Sequence, residues 1–319
     1  MFKRILFWLG NSRLFSLPMT IMSWLVVFVY ALKYGGNILN GILALIGIAF
    51  AHLATNLFDD YVDYKELSSN QEFMNNTSKS KCSYLKNGEA SLKELLFVVC
   101  VYCCIAFLIG VFLTFRVGFE VVILAITGGL ITLTYAKLSS NGFSELAVGT
   151  AFGPLLFEGV YYVMCGKFSF TVLLLSMVIV SFTVLLVYLN SLLDYDTDKA
   201  SGKKSLCTKF KDKNTAASGI LLISAVGYLM SIPLAVYTRN FLFLTPLITI
   251  PFPLDIFKLL ILYNSDKSVV PTVKWWYYPL DNWENIKNTT TANFYLRLYL
   301  TRNLMMWVSV LVIAAILLR

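Results

Sequence analysis

The chain has 319 residues, 58% of them hydrophobic and 14% charged, with a formal net charge of +8 and a mean hydropathy of +0.71. A soluble domain carries about a quarter charged residues, so this composition excludes an ordinary globular domain. It points to one polytopic domain, residues 1–319, embedded in a lipid bilayer. The basic residues are dispersed over connecting segments, as membrane topology requires, which argues against nucleic-acid binding.

Residues 1–14 read as a short interfacial helix rather than a cleavable leader. Phe2, Leu6, Phe7 and Leu9 are expected in lipid, and Lys3, Arg4 and Arg13 at the head groups. A spanning helix needs about 20 apolar residues. Nine segments qualify: 15–33, 38–58, 92–115, 118–136, 143–165, 168–193, 215–237, 240–263 and 292–318. The expected fold class is therefore all-α. The cysteines Cys100, Cys103 and Cys104 fall inside the third segment and read as small lipid-buried residues rather than a redox pair.

Counting Lys and Arg on the two sides gives 18 with the N-terminus and 5 on the other. The positive-inside rule then puts the N-terminus in the cytoplasm and the C-terminus outside. The long connections lie on the cytoplasmic side and are expected to cap a cavity opening there. The connection 264–291 carries Trp275, Trp276, Tyr277, Tyr278 and Trp283. It reads as a membrane-interface lid or as a plain aromatic belt.

Two acidic stretches stand out. Asn56-Leu-Phe-Asp59-Asp60-Tyr-Val-Asp63 ends the second segment, and Asn190-Ser-Leu-Leu-Asp194-Tyr-Asp196-Thr-Asp198 ends the sixth, 134 residues on. Helical spacing places Asn56, Asp60 and Asp63 on one stripe and Asn190, Asp194 and Asp198 on another. The offset of four segments suggests two four-helix repeats plus a ninth helix, both repeats pointing the same way. Such clusters at helix ends are costly unless a positive group lies between them. Mg²⁺ suits oxygen ligands and is commonly held by one or two carboxylates plus substrate phosphates. Lys79, Lys81, Lys86, Lys203 and Lys204 are placed to neutralise outer phosphate oxygens, with Lys137 on the same side. A site of this kind at a membrane boundary fits a polyprenyl diphosphate, whose polar head meets the metal and whose tail enters the bundle.

These motifs resemble the two signatures of the UbiA-type membrane prenyltransferases: Asn-x-x-x-Asp-x-x-Asp near residue 60, and Asn-x-x-x-Asp-x-x-x-Asp-x-x-x-Gly-Lys-x-Ser-Leu at 190–206. Thr134-Tyr135, Gly142-x-x-Glu145 and Gly153-Pro154 are similar to the dihydroxynaphthoate (menaquinone-pathway) branch. The likeness covers about residues 15–318. It implies a nine-helix bundle with a cytoplasmic active-site cap, Mg²⁺, and transfer of a prenyl group to an aromatic acceptor. By motif match, Asn56, Asp60, Asp63, Asn190, Asp194 and Asp198 take the metal–diphosphate role, the four Asp as metal ligands and the two Asn as substrate-binding residues. Lys203 assists the phosphate and Tyr135 faces the developing cation. The chain departs from the family pattern at Asp59, where Asn is usual, at Leu67, where a third Asp is usual, and at Leu193, where Arg is common.

Other intramembrane polar residues are weighed separately. His52 shares the face of Asn56 and reads as a packing residue or as a base. Glu158 lies toward the outer side, away from a diphosphate. Asp255 and Lys258 are spaced to pair with each other. Pro246, Pro251 and Pro253 are expected to kink the eighth segment. Competing functions are a terpene cyclase of the same family, which needs no acceptor, and a secondary transporter.

Overall fold

The computed structural model describes residues 2–67, 82–200, 204–266, 269, 271–289 and 291–318. Nine stretches of helix among these are long and apolar enough to cross a membrane: Leu14–Lys33, Ile38–Lys65, Leu92–Val117, Glu120–Ser140, Ser144–Cys165, Phe170–Leu193, Lys213–Thr238, Phe241–Ser265 and Ala292–Leu317. They are called the first to ninth spans. No strand occurs among the described residues. In hydrocarbon a helix satisfies its own backbone N–H and C=O groups, which an open strand cannot do.

The sixth span is the axis of the bundle. Val172, Leu175, Val178, Ile179, Phe182, Leu185, Leu189 and Leu192 on it are fully buried in the main core. Its partner, the seventh span, approaches closely because Gly219 and Gly227 face it. A Cβ on Gly227 would sit 2.7 Å from the Phe182 ring, and one on Gly219 2.3 Å from the Tyr188 hydroxyl. Small residues at such crossings let helix backbones pack where lipid tails give no hydrophobic drive to associate. The second and third spans form an equally extensive pair. These two pairings stand four spans apart, as two four-helix sets require.

Connections between spans are short on one side, at residues 34–37, 118–119, 166–169 and 239–240. The spans therefore alternate in direction. The second, fourth, sixth and eighth all end on the face where the chain begins. On the opposite face the Glu158 carboxylate accepts from the Ser169 N–H at 3.0 Å, at the start of the sixth span.

Two elements differ from expectation. The second span does not stop at 58, since its helix runs from Ile38 to Leu67 and carries the whole first acidic stretch in the helical spacing expected of it. Hydropathy ends at the first carboxylate, whereas the helix continues because those carboxylates find partners. The fifth span is split by a π turn, Ala151–Leu155, around Gly153-Pro154. Proline lacks an N–H and clashes with the preceding turn, and the wider turn makes room for it. The eighth span is interrupted at its prolines, as expected: it opens as a 3₁₀ helix, Phe241–Thr249, and becomes α-helical at Pro251.

The connection before the ninth span is pinned rather than loose. Lys274 Nζ donates to both Asp255 oxygens at 2.8 Å, and Tyr277 Oη to the same carboxylate at 3.0 Å. Asn303 Nδ2 donates to the carbonyls of Tyr277 and Pro279, each at 2.7 Å. Asp255 thus pairs with Lys274 and not with Lys258. Asp255 is buried while Lys258 is exposed, so the two residues do not share a face.

Candidate active site

The N-terminal segment is built against the first acidic stretch. Helix Phe2–Asn11 packs Phe7 and Trp8 edge-on against Tyr84, in a second, smaller core with Leu53, Ala54 and Leu57. Ile5 and Leu6 remain exposed on its other side, and Arg4 pairs with Glu94 at 2.9 Å. The chain then turns through Arg13, whose backbone is left-handed with φ 61°, a conformation uncommon for a side-chain-bearing residue. This turn directs the guanidinium inward. Arg13 Nη2 lies 3.4 Å from Asp59 Oδ2 and closer still to Asp60 Oδ1. Arg13 is therefore not a head-group residue, as the sequence suggested, but a counter-ion for two buried carboxylates, of which Asp59 is 5% and Asp60 2% exposed.

The electrostatics follow from this placement. Burial alone would lower the Arg13 pKa. The charges of Asp60 and Asp59 outweigh it and hold the guanidinium above its ordinary value. Tyr84 Oη donates to Asp60 Oδ2 at 3.2 Å, and Cys82 Sγ donates to the Asp60 carbonyl at 3.4 Å. Burial, and then the Asp60 charge, raise the Tyr84 phenol well above its usual range, so it stays a neutral donor. Each oxygen of Asp60 thus has a partner.

A polar strip continues along the same helix face. Asn56 Nδ2 donates to the Ser12 carbonyl at 3.1 Å and to Ser16 Oγ at 3.2 Å. His52 is bonded at both ring nitrogens, by Ser16 Oγ at 3.1 Å and Thr20 Oγ1 at 2.7 Å. Its ring meets Phe152, in the π turn, edge-on at 5.1 Å. His52 is therefore held in one orientation. Asp63 lies one turn beyond Asp60, half-buried. From the fourth span, Tyr135 comes within electrostatic range of Arg13.

The second acidic stretch is built differently. The sixth span ends at Leu193, and Asp194 leaves helical geometry with φ −88° and ψ 6°. A short helix, Tyr195–Ala200, follows. The four-residue spacing survives this break, since Asp194 N donates to the Asn190 carbonyl and Asp198 N to the Asp194 carbonyl. Asn190 and Asp194 are exposed, whereas Asp198 is buried. Asp196 pairs with Lys213 at 2.9 Å. Lys204 and Lys137 are exposed. Lys79, Lys81 and Lys203 lie outside the described residues, as does the side chain of Glu66.

The turn between the fourth and fifth spans links the two stretches. Tyr135 stands before it, near Arg13. Gly142 within it has φ +81°, and a Cβ there would lie 2.7 Å from the Lys204 carbonyl. Only glycine fits that backbone and that contact. Glu145 follows, 7% exposed, with Oε2 accepting from Ser144 Oγ at 2.8 Å and Oε1 lacking any partner among the described residues. Burial pushes the Cys207 thiol up to about 12, with the carboxylates of Glu145 and Asp198 adding to it.

Sequence reading missed Arg13, Tyr84 and the strip Ser12, Ser16 and Thr20. A signal for the strip was present, as these three recur every four residues entering an apolar span. Every carboxylate donor in the two stretches is a hard oxygen, the type Mg²⁺ takes. Among the described residues no group of three or more His, Cys, Asp or Glu side chains is placed to hold a metal alone. The donor chemistry fits a cation whose shell is completed by phosphate.

Comparison with known proteins agrees with this architecture. No curated protein sequence matches the chain. A structure of digeranylgeranylglyceryl phosphate synthase superposes with a TM-score of 0.60 at 14% identity, covering 99% of this chain and 100% of that one. The apo structure of a UbiA homolog from Aeropyrum pernix K1 gives 0.64 at 17% identity, covering 94% and 97%. Both likenesses concern the fold. Residues 17–277 match the UbiA prenyltransferase family, and the chain, a multi-pass membrane protein with acidic stretches at one face of its bundle, belongs to that family.

Proposed function

We propose that the protein transfers a prenyl group from a polyprenyl diphosphate to an aromatic acceptor of the dihydroxynaphthoate type, with Mg²⁺. The observation that carries this reading is the pair of acidic stretches at one face of the bundle, with Tyr135 at the end of the fourth span in electrostatic range of Arg13, and Glu145 at the start of the fifth in range of Cys207, as Asp198 is. The 319 residues act as one membrane domain, with that face in the cytoplasm. Asp60, Asp63, Asp194 and Asp198 would hold Mg²⁺, which when bound neutralises the diphosphate.

The chain's own residues do the rest. Lys203, Lys204, Lys81 and Lys137 take outer phosphate oxygens. Asn56 and Asn190 contribute to binding the metal–diphosphate. The bond between the allylic carbon and the diphosphate oxygen breaks, and the electron pair leaves with the diphosphate. The Tyr135 ring stabilises the carbon as it becomes cationic. The acceptor ring then supplies the electron pair for the new bond and loses a proton to regain aromaticity. The connection pinned by Lys274 and Asp255 keeps water out during this step.

Membranes carrying the protein are incubated with prenyl diphosphates of several lengths, with and without 1,4-dihydroxy-2-naphthoate and Mg²⁺. Mass spectrometry is expected to show a prenylated naphthoate that requires both. Diphosphate release without acceptor, yielding a cyclised hydrocarbon, would replace this reading with a cyclase. Ion transport in liposomes without any diphosphate release would replace it with a transporter.

A further inference from the structure

Arg297 stands about one and a half turns into the ninth span and is only 2% exposed. Its Nε donates to the Asn293 carbonyl at 2.7 Å, and its Cζ lies 4.4 Å from the centre of the Tyr263 ring on the eighth span. Those contacts fix the plane of the guanidinium. Among the described residues neither Nη1 nor Nη2 makes a hydrogen bond and no carboxylate pairs with the group. Arg13, Lys274 and Arg302, by contrast, each meet an acid.

A buried charge without a counter-charge is strongly unfavourable. Stacking on an aromatic face offsets only part of that cost. What remains is a planar fork of two amino groups, rigidly oriented and lacking an anion. That fork matches a carboxylate in shape and in charge, one against one. A diphosphate carries more charge than one guanidinium balances, and the lysines suited to it lie on the loops around the acidic stretches. The eighth span ends and the ninth begins on the same face as those stretches, so an anion held here is close to the mouth of the bundle. Tyr263, half-buried on the eighth span beside the guanidinium, is the neighbouring aromatic surface for a ring carrying that carboxylate.

We infer that Arg297 binds the carboxylate of an aromatic acid acceptor through Nη1 and Nη2. This rests on the reading of the protein as a prenyltransferase with an acidic aromatic acceptor. Arg297 then selects acceptors that bear a carboxylate, independently of how the donor is held.

The test compares wild type with R297M and R297K, using 1,4-dihydroxy-2-naphthoate and its carboxylate-free counterpart 1,4-dihydroxynaphthalene. In R297M the KM for the acid is expected to rise at least about 30-fold. The KM for prenyl diphosphate and the kinetics with the carboxylate-free ring stay within about 2-fold of wild type. R297K keeps the charge without the fork and shows an intermediate rise. Equal loss with both rings, or a raised KM for the donor, overturns the inference. If R297M does not fold, R297K decides, and an unchanged KM for the acid overturns it. If wild type prenylates neither ring, the acceptor reading has failed on its own, and binding decides the role of Arg297. Calorimetric titration with 2-naphthoate and with inorganic pyrophosphate then applies to wild type and the folded variants. Loss of 2-naphthoate binding alone sustains the site. Absent 2-naphthoate binding in wild type, equal binding in the variant, or selective loss of pyrophosphate overturns it.

Discussion

Arg13 and Asp60, 47 positions apart in the chain, form an ion pair at the point where the N-terminal segment meets the second helix. Asp59 shares the same guanidinium. The first acidic stretch is thus partly compensated from within the chain, and its geometry depends on a segment outside both motifs.

Removing that cation leaves two carboxylates buried side by side. Breaking a buried pair by deleting one partner typically costs about 3–5 kcal/mol. Arg13→Gln is therefore expected to lower the thermal unfolding midpoint by several degrees. Added Mg²⁺ should recover more of that loss than it adds to wild type. Scanning fluorimetry across a magnesium series in detergent checks both effects.

Asp60→Asn and Asp194→Asn should each reduce diphosphate release at least about 100-fold, if each removes a charge that matters only at the reacting centre. Their stabilities should diverge. Asp60 is buried and faces Arg13, whereas Asp194 is exposed. Asp60→Asn lowers the unfolding midpoint and Asp194→Asn leaves it within about a degree. Parallel pyrophosphate-release and unfolding measurements separate the two effects.

His52 is bonded at both nitrogens by hydroxyls of the first span. His52→Ala leaves Ser16 and Thr20 without that partner and costs about 1–3 kcal/mol of stability. With both nitrogens engaged by hydroxyls, the ring is expected to hold structure rather than to carry a proton, and the pH dependence of kcat in this variant should match wild type. A shifted acidic limb would make His52 the base instead.

Cys207 offers a test by pH. Its thiol is raised from 9.0 to about 12, so the folded state keeps its proton where the unfolded state loses it. Stability therefore falls as pH rises from about 9 toward 12, and Cys207→Ala shallows that decline. At pH 8.5 the folded thiolate fraction is on the order of one in a thousand. Iodoacetamide should label Cys207 only after unfolding, as peptide mapping would show.

The spans and acidic motifs were legible because each is a local pattern, a run of apolar residues or a four-residue spacing. Segment 38–58 was read short because hydropathy stops at Asp59, although the helix continues to Leu67. The partner that permits this, Arg13, lies a whole helix hairpin away, and no local pattern couples the two. Lys258 was the natural partner for Asp255 by spacing, but burial set them apart and the connection supplied Lys274 instead. Arg297 stands near a helix end in the sequence, and only its burial and its packing against Tyr263 show that it is turned into the protein.

The two acidic stretches meet their surroundings unequally. Asp194 is exposed, whereas Asp60 is buried against Arg13 and Tyr84. On the proposed reaction, a diphosphate arriving from the aqueous side would reach the later stretch first and would have to displace an arginine to reach the earlier one. The order of docking would then be set by the residue that follows the chain's first helix, a threshold rather than an anchor.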